Sequence, residues 1–215
     1  MLGTVSILAF VDQLDRGKLR RLPPGSHGIP ADVIARNQRE RLIAAMAEAC
    51  AEVGYAGASA TAVAKAAGVS TVTFYKQFAD KRDCMLAAHR QLLGRLLEEV
   101  DRACEGESGG EAKGRAAIHE MLALLAADPP SARLLTVEIL AAGPEGVKRH
   151  DTAVEAFARR FRPGRSPGDG APLSNADWAQ AAGALALIGK LVMAGEADRL
   201  PELEGELAAT ISAQS

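Results

Sequence analysis

The apolar residues of this chain recur mainly at three- and four-residue spacing, which is the period of an α-helix. The clearest example runs from about residue 32 to residue 53, where Leu42, Met46, Ala49 and Val53 share one apolar stripe. Gly54 follows this stripe and predicts its end, because glycine readily adopts the left-handed conformation that closes a helix. Cys50 lies within the stripe and is interpreted as a small core residue.

The same spacing predicts helices along most of the remaining chain. Ala and Leu are abundant while Val, Ile and aromatic residues are few, and this composition favours helices. Proline and glycine lie mostly between the periodic segments. We therefore expect an all-α fold. The longer predicted helices cover about residues 81–105, 112–127, 131–142, 145–161, 175–195 and 201–213.

Two shorter helices are predicted between the first helix and residue 81. One covers residues 62–67, with Ser59 or Thr61 as its N-cap, and ends at Gly68. The next runs from residue 71 to residue 78 with Ser70 as its N-cap. Two short helices joined by a three-residue turn that contains glycine form a helix-turn-helix motif.

The second of these short helices has two chemically different sides. Phe74 and Phe78 are four residues apart and are expected to face the core. A rotation of 100° per residue then places the following residues outward: Val72, Thr73 and Lys76, with Tyr75 and Gln77 at the edges. Hydroxyls, an amide and a cation on one exposed side suit the major groove of DNA.

The next helix begins with a charged segment. Asp80 and Asp83 have the spacing of a capping box. Lys81 and Arg82 between them are unfavourable at a helix N-terminus, because the helix dipole is positive there. A nearby phosphate would reverse the sign of this effect. The alternative is that both cations are solvated at a surface turn.

Residues 37–90 resemble the DNA-binding domain of the TetR family of bacterial transcriptional regulators and cover about a quarter of the chain. The matching pieces are Gly54-Tyr55, Val63-Ala64, Ala67-Gly68-Val69-Ser70, Thr73-Phe74-Tyr75, Phe78 and Asp80-Lys81. The resemblance implies that residues 71–78 form the recognition helix. It implies that Tyr75 and Lys81 contact phosphate and that Thr71, Thr73 and Lys76 face the groove. Ser70, the N-cap of this helix, completes the predicted DNA-binding set. Val72 departs from the family pattern, in which this residue is often small.

The resemblance also implies a homodimer in which the last two helices of each subunit form a four-helix bundle. The helix after Ser174 starts with a capping box, Ser174 to Asp177, and is apolar on nearly all sides. Its candidate interface residues are Trp178, Leu185, Ile188 and Val192, and residues 201–213 would be the second helix of the pair. The alternative is a helix buried inside a monomer.

Charge is distributed unevenly along the chain. Residues 1–83 carry 11 basic and 8 acidic side chains, whereas the remainder carries 14 and 19. This asymmetry favours a polyanion-binding N-terminal part. Cys50, Cys84 and Cys104 have no metal-ligand spacing and the four histidines are scattered, which predicts neither a metal site nor a disulfide framework and favours the cytoplasm. No apolar run predicts a membrane span.

These features predict three regions: a partly basic arm over residues 1–30, a helix-turn-helix domain over 31–80, and a helical effector-binding and dimerisation domain over 81–215. The arm is interpreted equally well as a disordered tail or as a DNA-contacting segment. Residues 163–173 are predicted to form a loop. Arg133 and Glu138, in an otherwise apolar helix, are compatible with a pocket or with plain surface.

The function expected from the sequence is a DNA-binding transcriptional regulator that binds double-stranded operator DNA as a homodimer. A repressor released by a small-molecule effector is favoured, with no cofactor, and the sequence does not identify the pocket residues. An activator and a TetR-like interaction protein without DNA binding remain alternatives. An enzyme is disfavoured, because no acid, base or nucleophile residues converge in the pattern.

Overall fold

The computed structural model describes residues 30–162 and 172–212, and every element within these ranges is a helix. The predicted all-α fold is confirmed. The α-helices are α1 (Ala31–Gly57), α2 (Ala60–Ala66), α3 (Thr71–Gln77), α4 (Lys81–Glu105), α5 (Gly110–Ala127), α6 (Pro129–Thr136), α7 (Pro144–Phe161), α8 (Asn175–Met193) and α9 (Glu204–Ser212), with 3₁₀ helices at Glu138–Ala142 and Ala197–Leu203. The predicted arm, except for Pro30, and most of the loop at 163–173 lie outside the described residues.

Helices α1 to α3 form what we call the head. The predicted break at Gly54 is present, with φ of 71° and ψ of 162°, although one further turn follows before α1 ends. Ser59 caps α2 by accepting the Ala62 N–H at 3.1 Å. Behind α3, Phe74 and Phe78 are buried with Leu42 and Met46 of the predicted α1 stripe, so the head has its own apolar interior, whereas Val53 at the end of that stripe is 61% exposed.

Helices α4 to α9 and the two 3₁₀ helices form what we call the body. Helix α4 has its predicted bounds, and its buried residues Leu92, Leu96 and Val100 belong to the core that it shares with α5 and α7. Arg160 of α7 forms two hydrogen bonds with the Asp101 carboxylate of α4, at 2.6 and 2.7 Å. Helix α1 packs on both α4 and α6, which joins the head to the body.

The predicted single helix over residues 131–142 is wrong. Helix α6 ends at Thr136, because Val137 leaves the helical conformation with φ of −123° and ψ of −60°, and a 3₁₀ helix follows. This turn directs the Glu138 carboxylate toward the head, where it accepts the Tyr55 N–H at 2.7 Å. The contact between Glu138 and Tyr55 therefore accompanies the change from the α-helix α6 to a 3₁₀ helix.

The predicted capping box at the start of α8 is confirmed. Ser174 accepts the Asp177 N–H at 3.1 Å, and the Asp177 carboxylate accepts the Ser174 N–H at 2.7 Å. The last predicted helix is shorter than expected: residues 197–203 form a 3₁₀ helix, and α9 begins at Glu204. Helix α9 packs on α5, whereas the main neighbours of α8 are α7 and α6. Within the described ranges, no helix combines the length and apolarity needed to cross a bilayer.

Candidate nucleic-acid interface

The start of α3 is fixed by hydroxyl groups. Ser70 is the N-cap, and its Oγ accepts the Thr73 N–H at 3.0 Å. The two hydroxyl oxygens, Ser70 Oγ and Thr73 Oγ1, are also 3.0 Å apart. Ser70 therefore has a structural role in addition to its predicted place in the DNA-binding set, and the Thr73 hydroxyl is held by it.

The predicted division of α3 into an inner and an outer side agrees with the structure. Phe74 is completely buried, whereas Val72 is 67% and Tyr75 57% exposed. The Tyr75 ring packs edge-on against Phe74, with 5.4 Å between the ring centroids. Lys76 is exposed and Thr71 is half-buried beside this surface. The outer side of α3 thus carries an aromatic hydroxyl and a cation on a rigid base.

Gln77 does not belong to the outer side. Its Nε2 donates to the Ala35 carbonyl at 3.1 Å, and its own carbonyl accepts from Arg39 Nη1 at 2.8 Å. The Arg39 guanidinium also lies 4.2 Å from the centre of the Phe78 ring. These contacts fasten the end of α3 to α1, so that the outer side is presented at a fixed angle.

Lys81 makes contacts that the sequence did not reveal. Its Nζ donates to the carbonyls of Tyr55 and Ala58, at 2.8 and 2.9 Å, and lies 4.3 Å from the centre of the Tyr55 ring. The ammonium thereby satisfies carbonyls at the end of α1. The structure places Lys81 at the junction between α1 and α4, and its contact with phosphate stays a prediction.

Asp80 and Asp83 form a reciprocal cap that is shifted by one residue from the predicted box. The Asp80 carboxylate accepts the Asp83 N–H at 2.7 Å, but the Asp83 carboxylate accepts the N–H of Ala79, at 3.0 Å. Both carboxylates are thereby used within the turn that connects α3 to α4.

Three exposed cations surround this surface. Lys65, Lys76 and Arg82 form no ion pair with any residue in the described part of the chain. Exposed cations on three successive helices favour a polyanionic partner. Lys65 was not among the DNA-binding residues predicted from the sequence. Its position in the last turn of α2 is the one sequence feature that could have indicated it.

The cysteines show no sign of a reactive or metal-binding role. Burial raises the pKa of the Cys50 and Cys84 thiols to about 12, which disfavours the reactive thiolate. Cys50 is completely buried, as predicted for a core residue. Among the described residues, no group of His, Cys, Asp and Glu side chains has the geometry of a metal site.

The structure places the four predicted interface residues of α8 in two environments. Trp178 is 43% exposed, whereas Leu185, Ile188 and Val192 are buried inside their own subunit against α6 and α7. A Cβ atom on Gly189 would lie 3.1 Å from Val137 Cγ2, which shows how closely α8 approaches α6. The interface assignment of the three buried residues is therefore corrected: they are core residues of the subunit. The exposed side of α8 carries instead Ala179, Gly183, Ala186, Leu187 and Met193.

A cavity of about 360 Å³ lies between α7 and the start of α8. Trp178 forms one wall, and the other lining residues are Lys148, Asp151, Thr152, Glu155 and Leu173. Trp178 is the α8 residue that the structure places at this cavity.

The helix-turn-helix head on a helical body defines a class of DNA-binding regulators, and comparisons with known proteins agree with this class. Residues 42–88 match the family model described as bacterial regulatory proteins of the tetR family. The fatty acid metabolism regulator protein of Bacillus subtilis (strain 168) is 27% identical over 99 residues, which are 46% of this chain and 51% of that protein. The chain thus spans about half the length of this curated relative.

Two solved structures share the fold over most of the chain. The fatty acid degradation regulator FadR from Bacillus halodurans has a TM-score of 0.66 at 19% identity, covering 81% of this chain and 94% of that one. FadR from Bacillus subtilis in complex with stearoyl-CoA has a TM-score of 0.61 at 19% identity, covering 80% and 96%. The head therefore matches the tetR-family model, the whole described chain shares the fold of these regulators, and the resemblance seen in the sequence is confirmed.

Proposed function

We propose that this protein is a ligand-responsive transcriptional regulator, acting as a repressor in the bacterial cytoplasm. The observation that carries the proposal is the outer side of α3, where exposed Tyr75 and Lys76 project from a helix anchored by buried Phe74. In this proposal residues 31–80 read DNA, residues 81–215 bind the effector and the second subunit, and no residue has a catalytic role.

The recognition helix α3 would enter the major groove of the operator. Thr71, Thr73 and Lys76 are then placed toward base edges, while Tyr75 and Lys81 contact phosphates. The exposed cations Lys65 and Arg82, which form no ion pair with any described residue, would add phosphate contacts. Phosphate contacts of this kind set affinity and its salt dependence, whereas the groove contacts set the sequence preference.

The operator-bound form would be a homodimer that uses the exposed side of α8. This side carries Leu187 and Met193, which are 39% and 52% exposed, beside small residues. A Cβ atom on Gly183 would meet nothing within 4 Å, so a partner helix has room to approach there. A two-fold axis through this surface would present two α3 helices to half-sites of a palindromic operator.

The effector class we propose is a long-chain acyl thioester. Support comes from the fatty acid metabolism regulator of Bacillus subtilis and from the FadR structure that holds stearoyl-CoA. Such a ligand would release the operator if it bound the DNA-incompetent conformation more tightly, and by linkage DNA would weaken its binding equally.

The test is fluorescence anisotropy with DNA that flanks the gene of this protein, compared with scrambled DNA across a salt series. Lys76→Ala should weaken selective binding, while Arg115→Ala, at an exposed arginine of α5, should leave it unchanged. Stearoyl-CoA should release the DNA and free CoA should not. Selective binding that stearoyl-CoA leaves intact would exclude this effector class, and equal affinity for both DNAs would exclude the operator-reading function.

A further inference from the structure

The ion pair between Arg133 and Glu138 lies where the body meets the broken end of α1. Arg133 Nε and Nη2 are both 2.8 Å from Glu138 Oε1. The side chains are only 24% and 10% exposed, respectively, so this pair is neither plain surface nor part of the cavity beside Trp178. Both residues also contact the backbone of the head.

These backbone contacts replace a helical hydrogen bond that the break at Gly54 removes. In a continuous α1, the Tyr55 N–H would donate to the Ala51 carbonyl, four residues earlier. Here the Ala51 carbonyl instead accepts from Arg133 Nη1 at 2.8 Å, and the Tyr55 N–H donates to Glu138 Oε2 at 2.7 Å. Arg133 thus donates to the carbonyl that the break leaves without a helical donor, and Glu138 accepts from the N–H that the break leaves without a helical acceptor.

The same peptide segment is held from its other side by α4. The Tyr55 carbonyl accepts from Lys81 Nζ, the side chain of the first residue of α4. The backbone of Tyr55 is therefore bonded at its N–H to the 3₁₀ helix of the body and at its carbonyl to the start of α4. Five residues later α2 begins, and α2 carries the turn that leads into α3.

We propose that the Arg133–Glu138 pair is the connection through which the body positions the helix-turn-helix head, with Tyr55 as the shared contact. Arg133 and Glu138 are positioning residues in this scheme and do not touch DNA. A displacement of α6 or of the 3₁₀ helix would move the segment between α1 and α2, and with it the orientation of α3. The effect on DNA affinity rests on the proposed function, but the mechanical connection does not.

The connection can be tested without DNA by amide hydrogen exchange of the full-length protein. Glu138→Gln removes the charge and leaves Arg133 unmatched, so the Tyr55 amide should exchange at least about tenfold faster. Amides of residues 60–77 should also lose protection, because the head is then less firmly held. Glu111→Gln breaks an exposed ion pair with Arg115 on α5 and serves as the matched control.

A second variant covers the case in which Glu138→Gln does not fold, as judged by far-ultraviolet circular dichroism. Arg133→Lys keeps the charge but replaces the guanidinium, which presents Nε and Nη2 to Glu138 and Nη1 to the Ala51 carbonyl, with a single ammonium. It should accelerate exchange across residues 60–77 by a smaller factor. If Tyr55 exchange rises while residues 60–77 keep their protection, or if neither changes, the positioning role is excluded.

DNA binding gives a separate readout. Glu138→Gln should weaken operator binding by about tenfold and Glu111→Gln by less than about twofold. Unchanged affinity in Glu138→Gln with lost protection at residues 60–77 would overturn the functional consequence of the connection. Failure of the wild type to bind DNA would overturn the proposed function and would leave the exchange result to decide the connection.

Discussion

The exposed sides of α3 and α8 differ in chemistry although both helices are anchored by buried apolar residues. Outside the core, α3 presents Tyr75 and Lys76, and the exposed cations Lys65 and Arg82 belong to the neighbouring helices. The corresponding surface of α8 presents Leu187 and Met193 among alanines and Gly183, with Lys190 as its only cation among the described residues. A cationic, hydroxyl-bearing side matches a hydrated polyanion, whereas a side of small and apolar residues matches another protein surface. The comparison indicates that the outward residues of a helix, not its anchoring residues, specify the partner.

The largest expected effect separates the two sides of α3 itself. Phe74→Ala should destabilise the protein by about 3–5 kcal/mol, because it leaves a cavity at a fully buried site. Val72→Ala, on the exposed side of the same helix, should change the free energy of unfolding by less than about 0.5 kcal/mol. Urea unfolding followed by circular dichroism measures both. Similar effects of the two substitutions would contradict the assigned orientation of α3.

Acid should act on the body and not directly on the head, because residues 31–80 contain no histidine. His89 of α4 is 1% exposed, and its pKa is lowered to about 4, mainly by burial and further by the charges of Arg149 and His150. Burial also lowers the pKa of His150, while Asp151 opposes this shift. The unfolded chain takes up these protons near pH 6.5, so folding stability should fall as the pH decreases.

For His89 the loss should begin below about pH 6.5 and reach about 3 kcal/mol near pH 4. Urea unfolding at pH 7, 5.5 and 4.5 measures this loss of folding stability. Replacing His89 with Gln should flatten the pH dependence. An equally steep dependence in His89→Gln would show that other groups control the acid response.

The exposed side of α8 is tested by placing a charge on it. Leu187→Glu should raise the Kd of the dimer at least about tenfold, because a carboxylate would be desolvated at the interface. Since Leu187 is 39% exposed in the subunit, the fold of the monomer should be preserved. Sedimentation equilibrium measures the Kd of the dimer, and Val33→Glu on α1 is the control. A Kd that Leu187→Glu leaves unchanged would place the interface elsewhere.

The smallest expected effect concerns a single hydroxyl on α3. Tyr75→Phe keeps the ring that packs against Phe74 and removes only the group proposed to contact phosphate. Binding should weaken by about 1 kcal/mol, and by the same factor for operator and scrambled DNA, because phosphates carry no sequence information. Anisotropy titrations of both DNAs measure this factor. A change in the preferred sequence would instead place Tyr75 in the groove.

Much of the head follows from short-range sequence features. Ser70 bonds to a backbone group three residues away, and so does Asp80. The break at Gly54 depends on one residue, and the burial of Phe74 and Phe78 follows from their spacing in one helix. Caps, helix breaks and helical periodicity act within about four residues, and for this reason the sequence alone determined the helix-turn-helix and the bounds of α4.

Long-range contacts decided the features that the sequence left open or predicted wrongly. Glu138 bonds to Tyr55, 83 residues earlier in the chain, and α6 gives way to a 3₁₀ helix next to it. In α8, periodicity could not separate Leu185 from Leu187, because a helix that is apolar all round has no distinctive side. Only the packing of α6 and α7 buries the first residue and exposes the second. Tertiary structure decides these points because the energy of burial and pairing depends on neighbours that come from distant parts of the chain.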